Sequence, residues 1–370
     1  ATSTTMTTIF LTGFPGFLGS ALVERLLQRH PADVTVTCLV QSKYRPDAEA
    51  RARAILSGRP GEAGRIRLVD GDITVPDLGL GEGYAALQEE TTEIFHLAAV
   101  YDLAVARDLA MRVNVDGTHN VLSFARRCPR LQRFQYVSTC YVSGRHPGVF
   151  REEDLSVSQS FNNWYEETKY LAEVEVQTAR GEGMPVTIYR PSIVTGDSRT
   201  GETQKYDGPY YFIRWILRQP EQIAFLPMVP NPDRTRVNVV PRDYVIDAIA
   251  YLSGLERSAG KVYHLCDPNP LTVAEMTALL GRATGRRLVR VPLPKSVAKS
   301  SLEYLPGLEA FMGIEPESVE YFVLPTRYSC ENALADLEGS GISCPPFADY
   351  VDNLIAFVRK HPEIPSAAMV

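Results

Sequence analysis

The chain has 370 residues, of which 45% are hydrophobic and 22% charged, and its formal net charge is −6. That length suits one large α/β domain with a smaller appended part, and the negative balance argues against nucleic acid as the main partner. No run of about 18 apolar residues is present, so no membrane-spanning helix is expected. The Thr-rich start lacks the apolar region of a secretory signal. The cysteines (Cys38, Cys128, Cys140, Cys266, Cys330, Cys344) form no CxxC pair. Neither a metal site nor a disulfide framework is expected, and a reducing, cytoplasmic setting is.

The apolar run Ile9–Leu11 reads as a buried strand. A turn bearing Gly13, Gly16 and Gly19 follows, and then a helical pattern with Leu22, Val23, Leu26 and Leu27 on one face. Strand, glycine turn and helix together open a dinucleotide-binding unit. Gly13 allows the tight turn, Gly16 admits a pyrophosphate close to the backbone, and Gly19 lets the helix lie near the strand. The helix N-terminus offers N–H groups and a positive dipole end. Val34–Val40 is the second strand. Units that bind NAD carry an Asp or Glu at its end, whereas this chain has Gln41, followed by Lys43 and Arg45. NADP(H) is therefore the expected cofactor. Ala48–Leu56, which carries Arg51, reads as a helix. Ile66–Asp70 is the third strand, running into Gly71-Asp72-Ile73, and Ile94–Ala99 the fourth. A helix over Leu109–Arg127 carries Asn114. Phe134–Thr139 is the fifth strand, Asn163–Gln177 a long helix and Pro185–Pro191 the sixth strand. This alternation predicts an α/β fold with a doubly wound parallel sheet, a Rossmann architecture.

Past Pro191 the pattern loosens. Gly196–Gly208 is polar and turn-rich, while Pro209–Met228 is aromatic and apolar. Val237–Val240 and Val262–Leu265 read as returning strands and Val273–Thr284 as a helix. Pro292–Val323 mixes proline breaks with apolar pieces. No linker separates two domains. The expected division gives 7–191 plus 237–268 to the NADP-binding part and 192–236 plus 269–360 to an interleaved, smaller C-terminal substrate-binding part. Residues 1–6 and 361–370 are expected to be flexible ends.

Tyr165 and Lys169 stand four residues apart, hence on one helix face. A tyrosine phenol has a pKa near ~10, and a nearby ammonium that stabilises the phenolate suits it to acid–base work on a carbonyl or alcohol oxygen. His96, within a strand, reads as a packed core residue, and Cys140 as a small packed one.

The pieces TGFPGFLG, HLAA, NVDGTHN, VSTCYVSG, YEETK and YRPSIVTG, in this order between about Ile9 and Gly196, resemble the extended short-chain dehydrogenase/reductases. The resemblance implies Thr139 as the hydroxyl that holds the substrate oxygen, with Ser138 as runner-up. It implies Tyr165 as the acid, Lys169 as its tuner and a nicotinamide-ribose ligand, and Asn114 as holder of a relay water. For the cofactor it implies Gly13, Gly16 and Gly19 with Phe17 and Leu18 at the pyrophosphate, and Asp72 and Ile73 by the adenine. Ala98 and Ala99 would line the ribose, with Pro191 and Ser192 at the carboxamide. GFLG, YRPSIVTGDSRTG and VNVVPRDYVIDAI are most similar to the thioester and fatty acyl-CoA reductase branch, which usually has Arg where this chain has Gln41. Lys43 or Arg51 would then serve the 2′-phosphate. No adenylation or carrier domain accompanies these motifs in the 370 residues, so an acyl donor, as a CoA or carrier-protein thioester, is expected from outside.

The expected reaction is NADPH-dependent reduction of a hydrophobic acyl thioester, aldehyde or ketone. The alternatives are a hydroxysteroid-like ketone reductase, a nucleotide-sugar epimerase or dehydratase with bound NAD, or a non-catalytic NADP-sensing protein. Gln41, Cys140 and Tyr141 stand where the epimerase–dehydratase class needs acids, and the sensor class would lack the Tyr or Lys. The stretches 209–228 and 292–323 are the expected substrate lining; otherwise they form a core or a homodimer contact.

Overall fold

Ile9, Phe10 and Leu11 are fully buried because β1 (Thr8–Thr12) lies inside a sheet covered on both faces. In this computed structural model, which describes residues 7–228, 231–292 and 316–366, β1 is followed by α1 (Phe17–Arg29), β2 (Thr35–Val40), α2 (Arg45–Leu56) and β3 (Ile66–Asp70). Then come α3 (Gly83–Glu90) and β4 (Thr91–His96). The next helix runs as α4 (Arg107–Ala110), a π segment (Met111–Asp116) and α5 (Gly117–Arg126). β5 (Arg133–Val137), a short β6 (Gly148–Phe150), α6 (Trp164–Gly181) and β7 (Val186–Pro191) complete the first half. The second half holds β8 (Ile193–Thr195), α7 (Pro209–Leu217), β9 (Ile223–Met228), β10 (Val239–Pro241), α8 (Arg242–Ser253), β11 (Val262–Leu265), α9 (Val273–Thr284) and β12 (Arg287–Pro292). β13 (Thr326–Tyr328), α10 (Glu331–Leu337) and α11 (Phe347–Lys360) follow.

Seven parallel strands form the main sheet in the order β11-β7-β5-β4-β1-β2-β3. One face packs against α1 and α8, through Leu22, Val23, Leu26, Val245 and Ile249. The other packs against α5 and α6, through Val121, Phe124, Ala172 and Val176. The doubly wound parallel sheet is thus present. The strand order reverses between β1 and β4, and ligands of open α/β sheets bind in the crevice beyond the strand ends at that point.

The expected returning strand 237–240 leaves the main sheet: β10 pairs only with β8 among the described residues. The apolar stretch 209–228 divides into α7 and β9. Tyr210, Ile213, Ile216 and Leu226 are packed inside a second core with Leu280 of α9 and Leu354 of α11. Those side chains therefore build the smaller part rather than line an open pocket. Residues 1–6, 229–230, 293–315 and 367–370 lie outside the described residues, and most of the expected lining at 292–323 falls there. Residues 361–366 are tied to the body, since the Tyr206 hydroxyl donates to the His361 carbonyl at 2.7 Å and the Tyr206 N–H to the Pro365 carbonyl at 3.0 Å. Among the described residues no helix is long and apolar enough to cross a membrane.

Candidate active site

The glycine turn explains its own spacing. Gly13 has φ +102°, a conformation that side chains rarely adopt. A Cβ on Gly16 would stand 2.7 Å from the Gly13 carbonyl oxygen, and one on Gly19 only 2.2 Å from it. Gly16 and Gly19 are thus needed to let α1 close on the turn, before any ligand is considered. The Gly19→Ala variant is expected to lose about 1–3 kcal/mol of stability by overpacking. Urea denaturation checks this, and an unchanged midpoint would mean the turn relaxes freely.

α1 starts at Gly16 with no side-chain cap and no acidic residue in its first turn. Its first N–H groups, at Phe17 and Leu18, are thereby available to an anion. The strand β4 ends at His96, three residues earlier than its apolar run suggests. Thr12 Oγ1 takes over there, accepting from the Leu97 and Ala98 N–H groups at 3.2 and 3.1 Å. Ala98 and Ala99 therefore sit in the loop beyond the strand, beside the glycine turn. His96 is fully buried between Thr12 Oγ1 at 2.6 Å and Thr118 Oγ1 at 2.9 Å. Burial lowers its pKa to about 3, so it is neutral, a packed core residue as expected. Asp72 Oδ1 accepts from the Thr74 N–H and hydroxyl, and the buried Ile73 offers its carbonyl to Asn120.

At the end of β2 the cations are arranged differently from the sequence expectation. Arg45 forms ion pairs with Glu49 and Asp70, both at 3.0 Å. Lys43 is exposed with its ammonium 5.0 Å from the Tyr44 ring, and Arg51 is half-buried further along α2.

The candidate reactive groups come from β5 and α6. After β5, Thr139 starts a short turn of helix, and its hydroxyl accepts from the Tyr141 N–H at 3.2 Å. Asn163 caps α6 by accepting from the Glu166 N–H at 2.9 Å. This fixes the start of the helix, so Tyr165 and Lys169 follow on one buried face. Burial raises the Tyr165 phenol above its ordinary range, and its hydrogen bond with Thr139 works against that rise. Thr139 and Tyr165 therefore meet, as the resemblance implies. Burial lowers the Lys169 ammonium to about 8, with Glu173 opposing. Lys169 Nζ donates to the Tyr136 hydroxyl and the Val137 carbonyl, both at 3.1 Å.

Asn114 lies in the π segment, fully inside the protein. Its Oδ1 accepts from the Val100 N–H at 2.9 Å, and its amide nitrogen is 3.0 Å from Thr168 Oγ1. It ties the loop after β4 to the helix that carries Tyr165. Cys140 is buried, donating to the Arg190 carbonyl at 3.1 Å. At the end of β7, Ser192 Oγ is buried with no hydrogen-bond partner among the described residues, an orphaned polar atom where the carboxamide was expected.

Several groups near this site were not anticipated. Tyr101 lies edge-on to Tyr165, with ring centroids 5.0 Å apart. Lys205 and Asp207 pair beside it at 3.2 Å. Glu173, one turn beyond Lys169, forms a fully buried ion pair with Arg190 at 2.5 Å. The i+4 spacing from Lys169 was the available signal for Glu173. The others arise from loops that meet only in three dimensions.

A family model described as male sterility protein matches residues 11–249. A linear gramicidin synthase of Brevibacillus parabrevis is 31% identical over 281 residues, 73% of this chain and 5% of that protein. An aldehyde reductase of Aspergillus flavus is 28% identical over 304 residues, 77% of this chain and 29% of that protein. The chain thus spans less than a third of the length of either relative. Among solved structures, the terminal R domain of the myxalamid PKS-NRPS biosynthetic pathway matches with a TM-score of 0.79 and 30% identity, over 98% of this chain and 93% of that one. With the glycine turn, the Tyr165–Lys169 pair and a family match over more than half of its residues, the chain belongs to the extended short-chain dehydrogenase/reductases, in the male sterility branch that holds the thioester and fatty acyl-CoA reductases.

Proposed function

We propose that this protein is an NADPH-dependent reductase of a hydrophobic acyl thioester, presented on a carrier protein or CoA, with aldehydes or ketones as further substrates. The observation that carries this reading is the placement of Thr139 beside the buried Tyr165, with Lys169 one turn on, on a dinucleotide-binding sheet. The residues fit the cofactor: α1 opens uncapped at the pyrophosphate position, and Ser192 Oγ lacks a partner among the described residues at the carboxamide position. Bound NADPH supplies a hydride to the carbonyl carbon. Thr139 holds the carbonyl oxygen and Tyr165 gives it a proton as its negative charge grows. Lys169 keeps a positive charge one helical turn away, which makes that proton easier to release. The hemithioacetal formed from a thioester then loses its hydroxyl proton as its C–S bond breaks, leaving aldehyde and free thiol. The names of an aldehyde reductase and a fatty acyl-CoA reductase among the relatives support reduction of an acyl-derived carbonyl. The rings around the donor, Tyr101 on Tyr165 and Tyr141 edge-on to Tyr321 at 4.5 Å, support an apolar acyl group.

Two measurements test this reading. NADPH should bind more tightly than NADH, because no carboxylate follows β2 to repel a 2′-phosphate. Gln41→Asp should move the preference toward NADH. Fluorescence titration decides, and equal affinities in the parent would remove NADPH from the proposal. Across a homologous series of acyl thioesters, each methylene buried contributes about 0.8 kcal/mol, so KM should fall with chain length until the site is full. A flat series would discard the hydrophobic acyl group as the recognised feature.

A further inference from the structure

The polar segment between β8 and α7 carries an ion pair that the sequence motifs leave unassigned. Lys205 Nζ and Asp207 Oδ2 are 3.2 Å apart, with side chains only 21% and 13% exposed. The ammonium also donates to the Tyr101 carbonyl at 3.0 Å and lies 4.6 Å from the Tyr101 ring centre. That ring is the one set edge-on against Tyr165. The segment is fixed from behind, because Tyr206, between the two charged residues, is fully buried and bonded through its hydroxyl and its N–H to His361 and Pro365. The Asp207 carbonyl accepts from the Tyr210 N–H in the first turn of α7. A pair held this firmly, and this far from water, acts on its surroundings far more than a surface pair does.

We infer that Lys205 and Asp207 are positioning residues for Tyr165: each cancels the other's charge beside the phenol, so that the proton stays on Tyr165 until the substrate oxygen takes it. The inference rests on the reading of Tyr165 as proton donor. The titratable and charged groups facing Tyr165 are Glu166 and Lys169 on its own helix, Tyr136 of β5 and Cys140 after it, Tyr101 from the loop after β4, and the Lys205–Asp207 pair. Burial raises the Asp207 carboxyl and Lys205 opposes that rise, while the Asp207 charge itself pushes the Tyr165 phenol upward. Removing either partner leaves one charge uncompensated beside the phenol.

The experiment compares the parent with Asp207→Asn, Lys205→Met and the double variant, in two readouts. One is the pH profile of turnover with NADPH and a thioester. The other is a ¹³C NMR titration of Cζ-labelled tyrosine in the cofactor-free protein, with the Tyr165 signal assigned as the one lost in Tyr165→Phe. Asp207→Asn is nearly isosteric and leaves the ammonium unopposed. It should move both the alkaline limb of turnover and the Tyr165 titration down by about one pH unit, which is about tenfold in rate at the alkaline end. Lys205→Met should move them up, and the double variant should return toward the parent. Unmoved titrations in both single variants, or a uniform loss of rate with no shift in either profile, would overturn the inference. If Tyr165→Phe keeps normal turnover, the donor reading itself fails; the NMR titration then still reports whether the pair acts on the phenol.

Discussion

Replacing Tyr165 by Phe is expected to lower turnover by about 10²–10⁴-fold, the usual worth of a general acid, while NADPH still binds. The ring stays, so its edge contact with Tyr101 and its packing with Val100 and Val105 survive. Only the hydroxyl, which lies beside Thr139, is lost. The change therefore separates chemistry from folding. Turnover measured at saturating NADPH, beside a binding titration, gives the answer. Turnover within a fewfold of the parent would transfer the proton to another group. Thr139→Val supplies the complementary check, because it removes the second hydroxyl proposed to meet the substrate oxygen and leaves the Tyr165 phenol in place.

The other large expected effect falls on stability. Glu173→Ala should cost about 3–5 kcal/mol, because it leaves the Arg190 guanidinium buried without its counter-charge. Both side chains are fully inside the protein. Arg190 Nε and Nη2 meet the two Glu173 oxygens at 2.8 and 2.5 Å, and Nη1 lies 3.0 Å from His264 Nε2. Burial works to raise the Glu173 carboxyl, and the Arg190 guanidinium outweighs it, holding the group below its ordinary range. A carboxyl depressed in this way stabilises the fold above the unfolded-state pKa and loses that contribution as pH falls through the folded-state value. Chemical denaturation at neutral pH measures the cost. A loss under about 1 kcal/mol would show that water or a neighbour replaces the carboxylate. Since Glu173 is one turn from Lys169, a lowered melting point should come with a disturbed active site.

Much of the first half was legible because its signals are local. The glycine spacing encodes contacts with the Gly13 carbonyl itself, and β3 runs over the residues that its apolar pattern marks, as β11 and α9 do in the second half. Strand ends were less legible where a side chain replaces the ladder, as Thr12 does beyond His96. The helix α8 gave no periodic signal, because Tyr244, Val245, Ile246, Ala248, Ile249, Ala250 and Leu252 are buried around most of its circumference. The stretch 209–228 was read as a pocket wall from its aromatic content. Composition does not distinguish a wall from a core: Tyr210 and Phe212 went into the core, while Phe225 is exposed. In the candidate site, Thr139, Tyr165 and Lys169 were legible from motif order, whereas Tyr101, Lys205 and Asp207 were not. Their meeting depends on loops 104 residues apart along the chain.

The strand β13 has consequences for the order in which the molecule can assemble. It pairs with β6, matching Thr326 to Gly148 and Tyr328 to Phe150. Just beyond these strands Glu152 receives the N–H groups of Asn332 and Ala333 at the start of α10. These contacts span about 180 residues of sequence, and such closures carry a loop-entropy cost and slow the search for them. A ribosome that has released the whole glycine turn, β5 and α6 has still not made the partner of β6. The segment after Thr139 must then wait, with Glu152 still lacking these two N–H donors, until residues 326–333 emerge. Nascent chains stalled before residue 326 should therefore show protease cutting near residues 144–154, and that cutting should disappear once α10 is outside the tunnel.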